Sequence, residues 1–431
     1  MSNVIDVDLL EVANQFNLMG KVVSITACGS GRINKTFKVV TFDGPKEYNY
    51  ILQRINTALF TEPDKLMNNI ALVTDFAQKY IDQQESKDRA LKKFFSVTRP
   101  IMSATSQYVY MPTDPEELSF TWLMKKMMEE PMEVLKIIKT KKGSNFYNGK
   151  IDAYRIYEFV PNSITYDSCV GHPELFEDCG RIFGEFQSLL RDFDASQLYE
   201  TLPNFHNTKI RYQKFLNAIS MADQKRYRDA KETIKNFAFF GVNCNLNNVI
   251  VDQLENGDIP LRVTHNDTKL NNVAFSKQTG KAIAVLDLDT VMPGAVCYDF
   301  GDAIRFGCNT EEEESTNFKA IDFNKELFKS YVKGYLSKAS GFLTEKEVDS
   351  LVDGAMVMTY EVGLRFLTDF LENDVYFGSK YYSNNLNRAK NQLALLTKMA
   401  ENEKWMRNVV KAEYMACKTA GQTLIEAELQ K

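Results

Sequence analysis

Apolar positions recur at two periods along this chain, and the change of period divides it. Residues 6–17 carry Leu9, Leu10, Val12, Ala13 and Phe16 at helical spacing, which predicts a short amphipathic entry helix. Three runs follow, KVVSITAC, KTFKVVTF and EYNYILQRI, β-branched or aromatic and separated by the turns GSG and DGPK. They predict an antiparallel meander. A helix is predicted from about Glu62 and Pro63, since proline suits a first helical turn, with Leu66, Met67, Ile70, Val73 and Phe76 on one face.

Residues 83–150 are less regular. An apolar piece broken by Pro and Asp, VYMPTDPEELSFTWLM, lies between QQESKDRALKKFF and MKKMMEEPMEVLKIIKTKKG. The latter reads as a solvated helix with a buried Met and Leu face, in preference to a membrane-surface or calmodulin-type helix. DAYRIYEFVPNS reads as an edge strand entering a linker. Beyond it the pattern is helical in CGRIFGEFQSLLRDF, KIRYQKFLNAI, KELFKSYVKGYL and the segments from about 386 onward. The four glutamates at 311–314 read as a solvated loop.

Composition bounds the function. A chain of 431 residues with 44% hydrophobic content has enough apolar surface for two cores, which excludes bulk disorder. Its net charge of -5 offers no long-range attraction to nucleic acid or anionic membrane, so neither is an expected partner. Seven scattered cysteines without a C-x-x-C pair read as reduced thiols, mostly core fillers. The acidic N-terminal segment is no signal peptide, and no stretch is long and apolar enough to span a bilayer; a soluble cytoplasmic protein is expected. Only His172, His206 and His265 exist, which excludes a His-rich metal cage.

The chemistry concentrates at 263–290, VTHNDTKLNNVAFSKQTGKAIAVLDLDT. His265, Asp267 and Asn272 give H-x-D-x-x-x-x-N, and Asp287 ends the apolar strand AIAVL fifteen residues on. Phosphoryl transfer from ATP needs such a set: one carboxylate to take the proton of the attacking hydroxyl, and an amide with a second carboxylate to hold Mg²⁺ on the phosphates. Asp267 is the base candidate, Asn272 and Asp287 the metal ligands, and Lys269 a cation for the transferring phosphoryl group. His265 reads as loop scaffold. The triplet Asp299, Phe300, Gly301 imitates a kinase metal motif, but Asp287 is better placed, leaving Asp299 to cap a helix or brace the catalytic loop. Gly29, Ser30 and Gly31, followed by Arg32, Asn34 and Thr36, form a turn between strands that can bring backbone N–H groups to phosphates.

These segments resemble the aminoglycoside phosphotransferase superfamily of small-molecule kinases. GSGRINKTF, YILQRIN, LMNNIALVTDF, THNDTKLNNV, VLDLDTVMPG, YDFGDAIRFG and EVGLRFLTDFLENDVYF are most similar to its N-acetylhexosamine 1-kinase group. The resemblance implies an α+β, bilobal protein-kinase-like fold: a small antiparallel β N-lobe at 1–157, with an insertion at about 83–150, a hinge at 158–162, and a large helical C-lobe at 163–431. It implies ATP-dependent phosphorylation of a sugar's anomeric hydroxyl by Asp267, with Mg²⁺ on Asn272 and Asp287. Adenine would bind along the hinge at Glu158 and Val160, and Arg365 and Tyr376 would contact the sugar. Arg32 stands where these kinases tend to have His beside the sugar. The strand that normally supplies a phosphate-binding Lys reads Ile51, Leu52, Gln53, Arg54, with Arg54 the candidate cation, although only one of Gln53 and Arg54 can face the nucleotide. The following helix offers Asn68 rather than a Glu partner. Arg365 is also spaced to join Glu361 and Asp369 in a surface charge ladder. A kinase of an amino alcohol or aminoglycoside, and a nucleotide-binding pseudokinase, are the competing readings; a monomer and a dimer are both compatible with the sequence.

Overall fold

The computed structural model describes residues 7–28, 33–102, 132–149 and 152–429. The entry helix α1 (Val7–Ala13) leads to β1 (Lys21–Ala27), β2 (Lys35–Asp43) and β3 (Lys46–Ile55), which pair antiparallel as the alternating pattern predicts. The helix α2 (Pro63–Met102) starts at the anticipated proline. Then come β4 (Ile137–Ile138), β5 (Tyr147–Asn148) and β6 (Ala153–Glu158), and the sheet closes in the order β1-β2-β3-β6-β4, with β5 also on β6.

Two sequence expectations change here. β6 is an interior strand: it pairs β3 along one side and β4 and β5 along the other. The stretch 132–149 therefore contributes two short strands to the sheet. Met132 and Leu135 are buried as expected, but in irregular chain on either side of the Glu133 bridge rather than on a helix. The turn Gly29, Ser30, Gly31, with Arg32, and residues 103–131 lie outside the described residues.

Period-2 alternation gives the sheet two faces. Tyr50, Leu52 and Ile156 pack with Val12 and Phe16 beside α1, whereas Ile55, Ala153 and Tyr157 face Met67 and Ile70 of α2. Gln53 and Arg155, directly paired across β3 and β6, lie on the α2 face.

After β6 come β7 (Ser163–Ile164) and the helices α3 (Pro173–Leu189), α4 (Thr208–Met221), α5 (Gln224–Val242) and α6 (Val249–Glu255). The strands β8 (Arg262–Thr264), β9 (Val273–Ser276), β10 (Ala282–Val285) and β11 (Met292–Gly294) precede α7 (Val296–Gly307), α8 (Lys325–Ala339), α9 (Glu345–Leu371) and α10 (Asn384–Leu429). α9 is buried along most of its length, touching α4, α5, α7 and α10, and starts with a Thr344–Glu347 capping box. Glu347 also receives Arg262 at 2.5 and 3.0 Å, which anchors the start of β8 to this central helix. α3 and α8 cross at backbone contact; a Cβ on Gly334 would lie 1.8 Å from the Glu177 carbonyl oxygen. The result is an α+β bilobal architecture, an antiparallel sheet followed by a helical body, as expected. Among the described residues no helix is long and apolar enough to cross a membrane.

The acidic run is not a solvated loop. Arg305 (3.2 Å) and Arg388 (2.6 Å) clasp Glu313, Ser315 donates to Glu311, and Lys380 pairs with Glu314. The cysteines are all free thiols, four of them buried.

Candidate active site

Two short ladders set two loops side by side. β8 pairs β11 (Thr264 opposite Met292), and β9 pairs β10 (Val273 opposite Val285), so 265–272 and 286–291 run between the same pair of clamps. Cross-links then join them. Leu286 N–H donates to the Asn272 carbonyl at 2.8 Å, Asn266 Nδ2 to the Thr290 carbonyl at 2.8 Å, and Thr290 Oγ1 to the His265 carbonyl at 2.6 Å.

His265 is scaffold, as expected. Its Nε2 lies 2.8 Å from the Leu286 carbonyl, its Nδ1 accepts from Asp267 N–H at 3.3 Å, and Phe183 and Phe186 pack edge-on against the ring. Asp299 braces the loop and does not cap α7: it accepts from the backbone N–H groups of His265 (2.9 Å) and Asn266 (2.7 Å) and from Gln187.

On this frame Asp267 stands between a cation and an amide. Lys269 Nζ is 3.0 Å from Oδ1, and Asn272 Nδ2 donates to Oδ2 at 2.9 Å and to the Asp267 carbonyl at 2.8 Å. Burial pushes the Asp267 carboxyl up, but Lys269, His265 and Asn272 outweigh it and hold it below its ordinary value. Burial pulls the Lys269 ammonium down, and Asp267 with Asp302 more than compensates. With Asp267 only 27% exposed, the base candidate is an ionised carboxylate partly screened from water.

Asn272 spends its amide N–H on Asp267, which turns Oδ1 away from that carboxylate. Asp287 has left-handed backbone (φ 56°, ψ 62°), and its carboxylate takes no hydrogen bond from any described residue. It is open to solvent but low among protein atoms, and burial, Asp289 and Asp267 push its pKa up to about 7 against Arg155 and Lys269. One amide oxygen and one uncommitted carboxylate suit Mg²⁺, a hard cation that keeps waters and is shared with phosphates. A closed protein cage is absent: among the described residues no three His, Cys, Asp or Glu converge on a metal position.

Beside the 286–291 loop sits a group that sequence reasoning missed. Arg155, fully buried in β6, pairs with Asp289, which also accepts from Asn34 Nδ2. Arg155 Nε donates to Gln53 Oε1 at 2.9 Å, and Gln53 Nε2 donates to Thr36 at 3.2 Å. Asn34 Oδ1 in turn accepts from Asn56 N–H. Burial lowers the Arg155 pKa, but Asp289, Tyr157 and Asp287 raise it beyond its ordinary value. The cation beside the 286–291 loop is therefore on β6, and its anion is on that loop rather than on α2.

The sheet also settles the choice at 53 and 54, and corrects it. Gln53 takes the α2 face, while Arg54 points to the opposite face and pairs with Asp152 at 2.7 Å, away from the 286–291 loop. On α2, Asn68 is exposed and Asn69 is the inward amide, bonded to the carbonyls of Tyr199 (2.7 Å) and Val291 (3.0 Å). At the linker, Glu158 N–H is used by the Lys136 carbonyl and the Glu158 side chain is exposed, whereas Val160 N–H has no partner among the described residues.

Arg365 and Tyr376 are brought together, 3.3 Å between Nη2 and the phenol oxygen. The surface-ladder alternative fails, because Arg365 is only 13% exposed, Glu361 is fully buried, and Asp369 is spent on the Tyr376 and Phe377 N–H groups. Arg365 lies over the Phe205, Tyr376 and Phe377 rings, and Glu361 gathers His206 (3.1 Å), Arg365 (3.7 Å) and Arg211 (3.9 Å). This wall is tied to the loops: the His206 ring packs 5.0 Å from that of Tyr298, the neighbour of Asp299.

The chain is 22% identical over 187 residues to an ethanolamine kinase of Drosophila melanogaster; the match covers 43% of this chain and spans 35% of the length of that relative. An aminoglycoside phosphotransferase from Alicyclobacillus acidocaldarius superposes with a TM-score of 0.50 at 11% identity, covering 94% of this chain and 96% of that one. A Plasmodium vivax ethanolamine kinase gives a TM-score of 0.47 at 14% identity over 86% and 81% of the two chains. Residues 121–328, which carry both loops and the whole Asp267, Lys269, Asn272 and Asp287 set, match the model of the phosphotransferase enzyme family, APH.

Proposed function

We propose that the protein is an ATP- and Mg²⁺-dependent kinase that phosphorylates the anomeric hydroxyl of a hexose or N-acetylhexosamine. The observation that carries the kinase reading is the Asp267 carboxylate fixed by Lys269 and Asn272, with Asp287 uncommitted beside it. Asp267 orients the acceptor hydroxyl and takes its proton; Lys269 meets the charge that develops on the transferred group. Mg²⁺ held by Asn272 and Asp287 would supply charge neutralisation on the phosphates. The linker at Glu158 and Val160, whose Val160 N–H has no partner among the described residues, would lie beside adenine.

The sugar reading draws on the wall at Arg365. A cationic acceptor calls for carboxylates or an uncrowded aromatic cage. Here Glu361 is shared by two arginines and a histidine, Asp374 is paired with Arg226, and Asp369 is bonded to backbone. The rings beside it already hold the Arg365 guanidinium. Such a wall suits a neutral, hydroxyl-rich acceptor. Similarity to an ethanolamine kinase favours the competing amino-alcohol reading. Phosphorus NMR of ATP with hexoses, N-acetylhexosamines and amino alcohols separates them. An anomeric phosphate supports the proposal, a primary phosphate ester of an amine overturns the sugar reading, and no product from any acceptor supports a pseudokinase.

A further inference from the structure

We propose that His206 contacts the acceptor directly, its Nε2 sharing a hydrogen bond with a hydroxyl of the bound sugar. This rests on the sugar-kinase reading and names a contact outside the motifs that led to it. His206 is 6% exposed, and its Nδ1 lies 3.2 and 3.1 Å from the two carboxylate oxygens of Glu361. Burial pushes the Glu361 carboxyl up, but His206, Arg365 and Arg211 hold it below its ordinary value, so it is ionised and can only accept. Nδ1 is thereby the donor to Glu361, and Nε2 is the ring nitrogen left for a second hydrogen bond.

Nε2 is buried and has no partner among the described residues. Buried polar atoms are paired in the great majority of cases, and an exception calls for an external partner. The surroundings are those of a ring-binding wall. Phe205 (4.4 Å) and Tyr298 (5.0 Å) flank the imidazole, and Arg365, packed on Phe205, reaches Tyr376. Tyr298 adjoins Asp299, which holds the loop carrying Asp267. One wall thus carries an unused imidazole nitrogen, a guanidinium and aromatic faces, and is joined through Tyr298 and Asp299 to the loop that carries Asp267.

The experiment is steady-state kinetics of the full chain with ATP, the phosphorylated hexose and its monodeoxy and deacetylated analogues. His206→Asn keeps an N–H for Glu361 and removes Nε2; His206→Gln brings an amide oxygen toward the Nε2 position. The acceptor KM of His206→Asn should rise about tenfold, the size of one lost hydrogen bond, with KM for ATP unchanged. One analogue should cost the wild type about tenfold and the variant nothing, and His206→Gln should recover part of the loss. If His206→Asn is as sensitive to every analogue as the wild type, or if KM for ATP and the unfolding midpoint shift with no analogue dependence, His206 is structural and the proposal falls. A wild type that phosphorylates no hexose overturns the sugar reading and this inference with it; one that does, with His206 silent, overturns the inference alone.

Discussion

Replacing Arg155 with Met tests the reading of the β6 cation. The arginine is fully buried and its partner Asp289 is 5% exposed, so the substitution leaves a carboxylate in the interior with only the Asn34 amide to answer it. Removing one member of a buried pair costs about 3–5 kcal/mol, most of it the penalty on the surviving charge. For 431 residues unfolding as one unit, that is a fall of about 3–6 °C in melting temperature. Adding Asp289→Asn removes the stranded charge and should restore most of the loss, since a buried ion pair replaced on both sides is close to neutral. Urea unfolding followed by circular dichroism, run as a double-mutant cycle, reads the coupling directly. A coupling under about 0.5 kcal/mol, or a double variant no more stable than Arg155→Met, would refute the pairing argument. Nucleotide affinity of the double variant then separates roles: recovered stability with weakened ATP binding identifies Arg155 as a cation the phosphates also use.

Other expectations follow from the same geometry. Asp267→Asn should lower turnover by about 10²–10⁴ while ATP still binds, as isothermal titration can check; near-normal turnover would remove Asp267 from the base role. The Asp287 carboxyl, with its pKa pushed up to about 7, holds a proton below that pH that Mg²⁺ must displace. Mg²⁺-dependent nucleotide affinity should therefore weaken as pH falls below about 7 and level off above it, with Asp287→Asn weak and flat throughout. The same raised value has the opposite sign for stability: the folded chain binds this proton more tightly than the unfolded one, so the stabilisation is present at low pH and is lost as pH rises toward about 7. Gly334→Ala, which drives a methyl onto the Glu177 carbonyl, should lower stability by about 1–3 kcal/mol or more with KM unchanged; an unaltered urea midpoint would show that α3 and α8 separate freely.

Local periodicity made β1, β2, β3, the start of α2 and the C-terminal helices legible, because each carries its pattern within one element. The catalytic loop was legible for a related reason: Asp267, Lys269, Asn272 and Asp287 lie within one hairpin of each other, so sequence spacing already limits their spatial spacing. β6 was misread because its interior position depends on β4 and β5, strands of two residues each that leave no periodic trace. Glu313 was misread because its partners Arg305 and Arg388 sit 8 and 75 residues away. His206 and Glu361 are separated by 155 positions, and nothing near His206 in the chain marks it.

Arg155 is the instructive case, since a cue for it existed. A charged residue in the middle of AYRIYEF, among Ala153, Ile156 and Tyr157, is buried on either face of the strand and requires an anion. The sequence offered Asp289 two residues beyond the metal-ligand candidate, and a carboxylate so close to Asp287 repels it unless a cation intervenes. Both problems have one solution. Arg155 neutralises Asp289, and in doing so joins β6, the residue Asn34 behind the glycine turn, and the 286–291 loop. A β3 lysine answered by a glutamate on α2 would tie the sheet to that helix. This arrangement ties the sheet to the loop that carries Asp287 instead, so the joint between sheet and helical body and the charge around Asp287 depend on the same pair.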